Sequence, residues 1–266
     1  MLDYVKELLL ENKIELCGCI PLSECTVKKP HLLQRAGINS GSAIVFAVPY
    51  YVDDGNGSTV SVYAAPKDYH LYFKELSDLL LPKLKEKFPN NNFVIYADHS
   101  PIGEVEAAAK CGLGVIGKHG LLITEKYSSF VFIGSLITDA VINSPSYEIR
   151  GCEDCGLCKS LCPASLSKSD CLSAITQKKG ELSEYEIGLI KKHRTAWGCD
   201  ICQKVCPHTK KAIADQTITS PIPFFSSNRL PSPTYEDIIN MSDEEFSQRA
   251  FSWRGRAIIL RNLKLL

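Results

Sequence analysis

The chain has 266 residues, of which 45% are hydrophobic and 23% charged, as expected for an ordinary globular protein with one large or two smaller domains. Thirty basic residues balance thirty acidic ones. A net charge of zero argues against general electrostatic binding of nucleic acid, although a local basic patch is still compatible with it. No apolar run reaches the ~18 residues of a membrane span, and the first residues do not form an export signal. Twelve cysteines without such a signal predict a cytoplasmic protein with metal ligation.

Short apolar runs alternate with helical patterns over the first 138 residues. Residues 1–13 carry apolar side chains at helical spacing, and a similar pattern predicts a long helix from Lys67 to about Phe88. An alanine-rich helix is predicted at 105–110, and residues 139–151 read as a linker. The other apolar runs predict strands at 17–21, 43–48, 60–64, 93–97 and 129–138. The strands at 43–48 and 93–97 are expected to be buried.

Two loops flank the alanine-rich helix and carry residue types that suit a site. The first runs from Asp98 to Glu104 and follows a predicted strand. Asp98 also has an ordinary structural role there, as a turn residue or helix cap. The second loop follows the helix, so it does not satisfy the dinucleotide-binding fingerprint. Its glycines let the backbone turn sharply or approach a ligand closely: Gly112, Gly114 and Gly117.

Two cysteine runs lie between residues 152 and 207. The first has the C-x2-C-x2-C-x3-C-P spacing of bacterial ferredoxins, in which the fourth cysteine ligates the other cluster of a two-cluster protein. The second run is C-x2-C-x3-C-P, and Cys171 lies alone between the two. By analogy with the crossed ferredoxin pattern, the eight thiolates form a first ligand set (Cys152, Cys155, Cys158 and Cys206) and a second ligand set (Cys162, Cys171, Cys199 and Cys202), one for each 4Fe–4S cluster.

Other uses of these cysteines fit the sequence less well. Zinc sites usually have four ligands in two separated pairs, and disulfides need an oxidising compartment that nothing else in the sequence indicates. The ferredoxin spacing therefore favours iron–sulfur clusters. Cys17, Cys19 and Cys25 match no ligand spacing, and we interpret them as small core residues, while Cys111 stays unassigned.

Beyond the cysteines the sequence predicts short helices. They cover residues 235–241 and 243–251. Ser242 is the expected N-cap of the second, with Glu245 at its third position. The whole chain is therefore expected to have an α+β fold of three parts: an α/β domain at 1–145, a ferredoxin-like double-cluster domain at 146–215 and a helical extension at 216–266.

Several motifs occur in a characteristic order before the first cysteine run. They are Pro49-Tyr50-Tyr51, Asp68-Tyr69-His70, Asp98-His-Ser-Pro101 and Gly112-Leu-Gly114-x-x-Gly117-Lys118, and the chain closes with Phe251-x-x-Arg-Gly-x-Ala and Arg261-Asn262. In this order, and with Cys171, the chain resembles the epoxyqueuosine reductase family over residues 30–262. The resemblance implies a cobalamin-dependent iron–sulfur enzyme that reduces epoxyqueuosine to queuosine in tRNA. It also implies an N-terminal cobalamin-binding domain, and an external electron donor of flavodoxin or ferredoxin type.

The resemblance also implies roles for individual residues. Glu104 matches the position of the family's proton-donating acid, usually an aspartate, and Asp98 stands with it as a catalytic candidate. Tyr69 and His70 are expected to line the cobalamin pocket. Further contacts to the cofactor are implied for the glycine loop: Gly112, Gly114, Gly117 and Lys118. The ordinary alternatives are that Glu104 is a solvated carboxylate at a helix N-terminus and that His70 is a polar neighbour of a helix cap.

Some features depart from the family pattern and keep other functions open. Val115 replaces a common tryptophan, and the given sequence stops at Leu266, before the helical repeats that help family members hold tRNA. One alternative is a related cobalamin and iron–sulfur reductase of a small molecule, similar to reductive dehalogenases. The others are an electron-transfer module without catalysis and a binding protein with structural clusters.

Overall fold

A four-stranded antiparallel sheet forms the centre of the molecule. The computed structural model describes residues 1–55, 57–167 and 169–266. The strands of the sheet follow the order β1-β2-β6-β3, and β4 and β5 form a separate antiparallel pair. Within the described ranges the six strands have these bounds: β1 (Leu16–Pro21), β2 (Ser42–Pro49), β3 (Phe93–Ala97), β4 (Val115–Ile116), β5 (Leu122–Ile123) and β6 (Val131–Thr138).

Helices surround the sheet and fill the second half of the chain. Short 3₁₀ turns occur at Leu22–Glu24, Val62–Ala64 and Ser252–Arg254. Over the described residues, the α-helices are α1 (Leu2–Glu11), α2 (Pro30–Arg35), α3 (Tyr69–Lys87), α4 (Glu104–Lys110), α5 (Leu157–Leu161), α6 (Leu172–Thr176), α7 (Glu184–His193), α8 (Ile201–Lys204), α9 (Pro207–Ala214), α10 (Pro223–Ser226), α11 (Tyr235–Asn240), α12 (Asp243–Ser247) and α13 (Arg256–Leu263). None of them is long and apolar enough to cross a membrane.

The two faces of the sheet are covered by different helices. Residues of β2 alternate between the faces, as the period of two in a strand requires. Ile44 and Phe46 pack with the apolar sides of α1 and α3. Ala43 and Val45 pack with the alanines of α4. Because both faces are covered, all eight residues of β2 are buried, which confirms the predicted buried strand at 43–48.

Two strand predictions need correction. The run 93–97 forms β3 as predicted, but all five of its residues are only partly buried because β3 is an edge strand that pairs with β6 alone. The run 60–64 is not a strand. It forms the 3₁₀ turn Val62–Ala64. Val60 and Ala64 pack in the core of Trp197 and Phe251, and Val62 packs in the core on the α3 side, so the hydrophobicity of the run reflects tertiary contacts.

The predicted α/β character of the N-terminal region also needs correction. Each pair of neighbouring strands in the central sheet is antiparallel, whereas an α/β domain is built on parallel strands joined by crossover helices. The fold is therefore a mixed α+β fold with a small sheet. At the C-terminus, α11 and α12 match the predicted helices, although α12 ends at Ser247, and the predicted Ser242 cap with Glu245 is confirmed as a reciprocal capping box.

The segment before the first cysteine run lies along β4. Residues 139–150 contain no helix or strand. However, the Ile116 N–H donates to the Arg150 carbonyl at 2.9 Å, and the Cys152 N–H donates to the Ile116 carbonyl at 3.0 Å. These hydrogen bonds place the start of the cysteine-rich segment beside the glycine loop that follows α4.

A buried polar contact joins the second cysteine run to the rest of the molecule. Asp200 lies between Cys199 and Cys202, is 6% exposed, and accepts hydrogen bonds from the Ser61 hydroxyl and, at 2.8 Å, from the Val62 N–H. A buried carboxylate needs such donors to offset its desolvation. The turn at 62–64 therefore positions α8 against the central sheet.

Candidate active site and cysteine clusters

Tyr69 and Asp98 are joined by a hydrogen bond at one end of the sheet. Asp68 caps α3 by accepting from the His70 N–H at 2.9 Å, so Tyr69 begins the helix. The Tyr69 ring stacks on Phe132, with centroids 4.1 Å apart, and its hydroxyl donates to the Asp98 carboxylate. The structure thus brings together one predicted cofactor residue and one predicted catalytic residue.

Asp98 reaches this position through a sharp change of backbone direction. It follows the last residue of β3 and has a φ of +60°. Aspartate is one of the few residues with a side chain that tolerates this left-handed region. The turn directs the Asp98 carboxylate towards the start of α3 and leads the chain into the loop that ends at Glu104.

Glu104 is the first residue of α4 and has an unusual environment. Its Oε1 atom is buried and has no hydrogen-bond partner among the described residues. Burial, and then the charge of Asp98, raise the pKa of Glu104 to about 8, against the opposing effects of an Asp98 backbone hydrogen bond, Lys29 and Lys28. The Glu104 carboxyl group is therefore mainly protonated at neutral pH. A solvated carboxylate at a helix N-terminus, the alternative role of Glu104, would be ionised at that pH.

His70 is held by the same helix cap. Its Nδ1 atom lies 2.8 Å from the Asp68 carboxylate, and the two rings of Tyr69 and His70 have centroids 4.2 Å apart. The hydrogen bond to Asp68 raises the pKa of His70. Its exposed ring and the Tyr69 ring form an aromatic surface next to Asp98.

Two lysines lie beside Glu104, and sequence reasoning did not connect them with it. The Lys28 and Lys29 N–H groups both donate to the Pro101 carbonyl, at 2.7 and 3.1 Å, and the Lys29 ammonium lies 3.1 Å from His99 Nδ1. The loop with the two lysines is thus fixed against the loop with Glu104. Only tertiary contacts bring these segments together, about 70 residues apart in the chain.

The first ligand set lines a single cleft. All four of its cysteines contribute to the walls of the cleft, together with Lys118, His119 and His208. The Lys118 N–H donates to Cys152 Sγ at 3.3 Å, and the Lys118 ammonium pairs with Asp154 at 2.8 Å. Four thiols around one cleft are the donor set that an iron–sulfur cluster requires.

The second ligand set also consists of neighbouring side chains. Burial, followed by the nearby Cys199, Cys162 and Cys171 thiols, raises the pKa of Cys202 to about 12. Cys162 follows α5, Cys171 precedes α6, and Cys199 and Cys202 lie at the start of α8, the helix that packs on α5. In the described part of the chain, no group of three or more His, Cys, Asp or Glu side chains is arranged to hold a single metal ion.

The glycine loop lies next to the first ligand set. A Cβ atom on Gly114 would collide with the Ile123 carbonyl, and Gly112 has a φ of +76°. Backbone packing therefore explains the glycine at position 114, and backbone conformation explains the glycine at position 112. Because the loop follows the end of α4 and Glu104 begins that helix, the loop and Lys118 do not join the cluster of Tyr69, Asp98 and Glu104.

The four remaining cysteines belong to the two cores beside the central sheet. Cys17 and Cys19 pack with the core on the α3 side, and Cys25 and Cys111 with the core on the α4 side. Burial raises the pKa of Cys17 to about 12, and of Cys19 and Cys25 to about 11. Such thiols stay protonated at neutral pH, as expected of small apolar core residues.

Comparison with known proteins gives one consistent group of relatives. No family model matches the chain. The chain is 31% identical over 209 residues to epoxyqueuosine reductase from Lactococcus garvieae, covering 74% of this chain and 58% of that protein. It is 30% identical over 227 residues to the enzyme of that name from Atelocyanobacterium thalassa, covering 78% of this chain and 70% of that protein.

Solved structures of the same name share the fold. The epoxyqueuosine reductase of Streptococcus thermophilus superposes with a TM-score of 0.78 at 23% identity, over 98% of this chain and 79% of that one. A crystal structure of epoxyqueuosine reductase with an epoxyqueuosine-modified tRNA-Tyr stem loop gives a TM-score of 0.76 at 24% identity, over 99% of this chain and 80% of that one. At these identities the likeness establishes the fold.

The fold and the cysteine spacing together define a class of mixed α+β proteins with ferredoxin-type cysteine runs beside an antiparallel sheet. Within that class, the chain belongs to the epoxyqueuosine reductase family. The matched region spans only 58% and 53% of the Lactococcus garvieae and Staphylococcus aureus relatives.

Proposed function

We propose that this chain reduces epoxyqueuosine in tRNA to queuosine. The observation that carries the proposal is the buried, protonated Glu104 beside Asp98, because removal of an epoxide oxygen needs a proton donor near that oxygen. Membership of the epoxyqueuosine reductase family supports the same reaction. Converting the epoxide to an alkene takes two electrons and two protons and releases the oxygen as water.

The proposal includes two 4Fe–4S clusters and cobalamin. The first ligand set would hold one cluster and the second ligand set the other, and Tyr69 and His70 would contact cobalamin through their ring surface. When bound, these groups supply the two electrons, which an external donor of flavodoxin or ferredoxin type provides. The proposal also keeps the division of the chain into 1–145, 146–215 and 216–266. Cobalamin contacts by the glycine loop and Lys118 rest on the family resemblance alone.

Protein side chains control the proton in this scheme. Glu104 donates one proton to the departing oxygen, and solvent supplies the second. Burial, and then the charge of Asp98, raise the pKa of Glu104 and keep it protonated, and the hydrogen bond from the Tyr69 hydroxyl fixes the Asp98 carboxylate in place. Asp98 is thus a positioning residue for the proton donor, and Glu104 is the catalytic residue.

Two lysines support tRNA as the substrate carrier. Lys28 and Lys29 lie at the edge of the loop that leads to Glu104, and the Lys29 ammonium contacts His99. Basic side chains near a reacting nucleoside bind the flanking phosphates, which carry most of the affinity for nucleic acid. A local patch of this kind is compatible with a net charge of zero.

An anaerobic turnover assay tests the proposal. Protein with reconstituted clusters is mixed with cobalamin, reduced with dithionite and given tRNA that contains epoxyqueuosine, and the nucleosides are analysed by mass spectrometry. The expected result is queuosine, which depends on both protein and reductant. If the cobalamin spectrum is unchanged and no queuosine forms, the proposal is refuted. A cobalamin change without queuosine would favour a small-molecule reductase.

A further inference from the structure

His119 is one of the residues that line the cleft of the first ligand set, and a backbone hydrogen bond orients its ring. The Leu121 N–H donates to His119 Nδ1 at 3.2 Å. The other ring nitrogen, Nε2, is buried and has no partner among the residues that the structure describes. The ring itself lines the cleft that the four cysteines share. A backbone donor therefore holds Nδ1, and Nε2 is left as a buried polar atom without a partner among the described residues, in a side chain that lines the cleft.

Gly117 is what permits this orientation. A Cβ atom at residue 117 would lie 2.5 Å from His119 Cε1 and 2.9 Å from both ring nitrogens. Any side chain at that position would displace the ring, so the last glycine of the loop explains how His119 folds back. The same short segment already directs one donor at the ligand set, since the Lys118 N–H lies 3.3 Å from Cys152 Sγ.

The hydrogen-bond pattern determines where the proton of the ring lies. A neutral imidazole has one N–H and one acceptor nitrogen. Because Nδ1 accepts from the Leu121 N–H, the proton of the neutral ring belongs to Nε2, the buried atom that has no partner among the described residues. A protonated nitrogen cannot ligate iron, but it can donate to sulfur. A buried N–H without an acceptor is unfavourable, so the site favours a ligand that presents one.

We propose that His119 donates its Nε2–H to a sulfur of the iron–sulfur cluster held by the first ligand set, as a positioning group that makes reduction of that cluster easier. This inference rests on the proposed cluster ligation. A reduced cluster carries one more negative charge than an oxidised one, and an N–H···S hydrogen bond stabilises that charge. Loss of the donor makes one-electron reduction of this cluster less favourable.

Redox titration of three variants tests the role of His119. His119→Leu removes the donor, His119→Gln restores an N–H of similar reach, and His208→Leu changes the other imidazole that lines the same cleft. Iron per chain is measured first, and each cluster is then titrated under anaerobic conditions with detection by electron paramagnetic resonance. The readouts are the iron content and the two midpoint potentials, so activity is not needed.

The expected result is a change in one cluster only. In His119→Leu, iron content stays at the parent value and the reduction equilibrium of one cluster falls about tenfold, which corresponds to about 59 mV for one electron. The potential of the second cluster stays at its parent value, His119→Gln recovers most of the shift, and His208→Leu has a much smaller effect.

Several outcomes would overturn the inference. Full iron content with unchanged potentials in His119→Leu would show that His119 makes no such hydrogen bond. A loss of half the iron in that variant would make His119 a structural requirement or a ligand. An equal shift in His208→Leu would assign the effect to the polarity of the cleft. A parent protein without iron would refute the proposed cluster ligation as well, and iron analysis distinguishes that case from the others.

Discussion

Glu104 shows how a few neighbouring atoms decide the state of one side chain. Its Oε1 lacks a hydrogen-bond partner within the described part of the chain, and Asp98 adds a second negative charge nearby. Glu106 lies two residues further along the same helix, where hydrogen bonds with Thr26 and then Lys110 lower its pKa. Two glutamates in one helical turn thus have opposite pKa shifts, because Glu106 has hydrogen-bond partners and the buried Oε1 atom of Glu104 has none among the described residues.

The proton-donor role predicts a specific pH profile. Glu104 must be protonated to act, so turnover should fall as the pH rises through about 8, the pKa of Glu104. In Glu104→Gln, the amide cannot donate a proton of comparable acidity, and we expect the rate to fall by about 10²-fold or more with cobalamin binding retained. The measurement is single-turnover queuosine formation between pH 6 and pH 9.

Glu106→Gln is the matched control and should keep the parent rate and profile. Turnover by Glu104→Gln at the parent rate would remove Glu104 from the mechanism. Stability gives an independent readout. Because burial raises the pKa of Glu104 from its ordinary value of 4.5 to about 8, its stabilising contribution is complete below about pH 4.5 and is lost as the pH rises through 8. Glu104→Gln should remove this pH dependence.

At the scale of single elements, the hairpin of β4 and β5 depends on close backbone contact. Gly114 immediately precedes β4 and has no room for a Cβ atom, because the Ile123 carbonyl occupies that space. Val115–Ile123 and Ile116–Leu122 are the two residue pairs of the hairpin. The hairpin in turn positions Lys118 and His119 at the cleft, so the geometry of the cleft depends on this packing.

Gly114→Ala should therefore destabilise the fold. The added methyl group meets backbone, which cannot rotate away as a side chain can, and we expect the free energy of unfolding to fall by about 1–3 kcal/mol. Gly188→Ala is the matched control: Gly188 lies exposed in α7 with no atom within 4 Å of the added methyl group, and we expect a gain of about 0.5–1 kcal/mol from helix propensity. Anaerobic urea unfolding measures both. Equal effects of the two substitutions would contradict the packing argument.

At the scale of the whole molecule, each of the two cysteine runs contributes its last cysteine to the ligand set of the other run. The last cysteine of the second run, Cys206, lies in the cleft of the first run, and Cys162 of the first run lies near Cys199 and Cys202. Asp200 and Asn262 secure this arrangement, the first by its hydrogen bond from Ser61 and the second by donating to the Thr176 and Ala196 carbonyls at 2.7 and 2.8 Å. Each proposed cluster thus joins parts of the chain that lie far apart in sequence.

The crossed arrangement predicts the iron content of a cysteine variant. The parent should bind about eight iron atoms per chain, as two 4Fe–4S clusters, and Cys171→Ser should bind about four, because the second ligand set loses one thiolate. Cys25→Ser is the control, since Cys25 packs in the core on the α4 side, and should keep the parent content. Iron analysis after anaerobic reconstitution is the measurement. Full iron content in Cys171→Ser would refute the assignment of that residue.

Local patterns account for what the sequence by itself determined. The cysteine spacing, the Ser242 cap with Glu245 and the buried run of β2 each involve residues close together in the chain. Hydrogen bonds within a helix turn and alternation along a strand follow from backbone geometry alone, so these features can be recognised without a structure. The division of the eight cysteines into two ligand sets rests in addition on the analogy with the crossed ferredoxin pattern.

Only the tertiary structure decided the environment of each residue. It made 60–64 a turn, in which Val60 and Ala64 join the core of Trp197 and Phe251, and it left β3 at an edge. It placed Glu104 near Asp98 with a buried Oε1 atom, and it placed His119 in the wall of the cysteine cleft. Burial and the charge around a group depend on segments that approach from distant parts of the chain. Local spacing therefore predicts which residues form a helix, a strand or a ligand run. Long-range packing sets the protonation of their side chains and the groups that they contact.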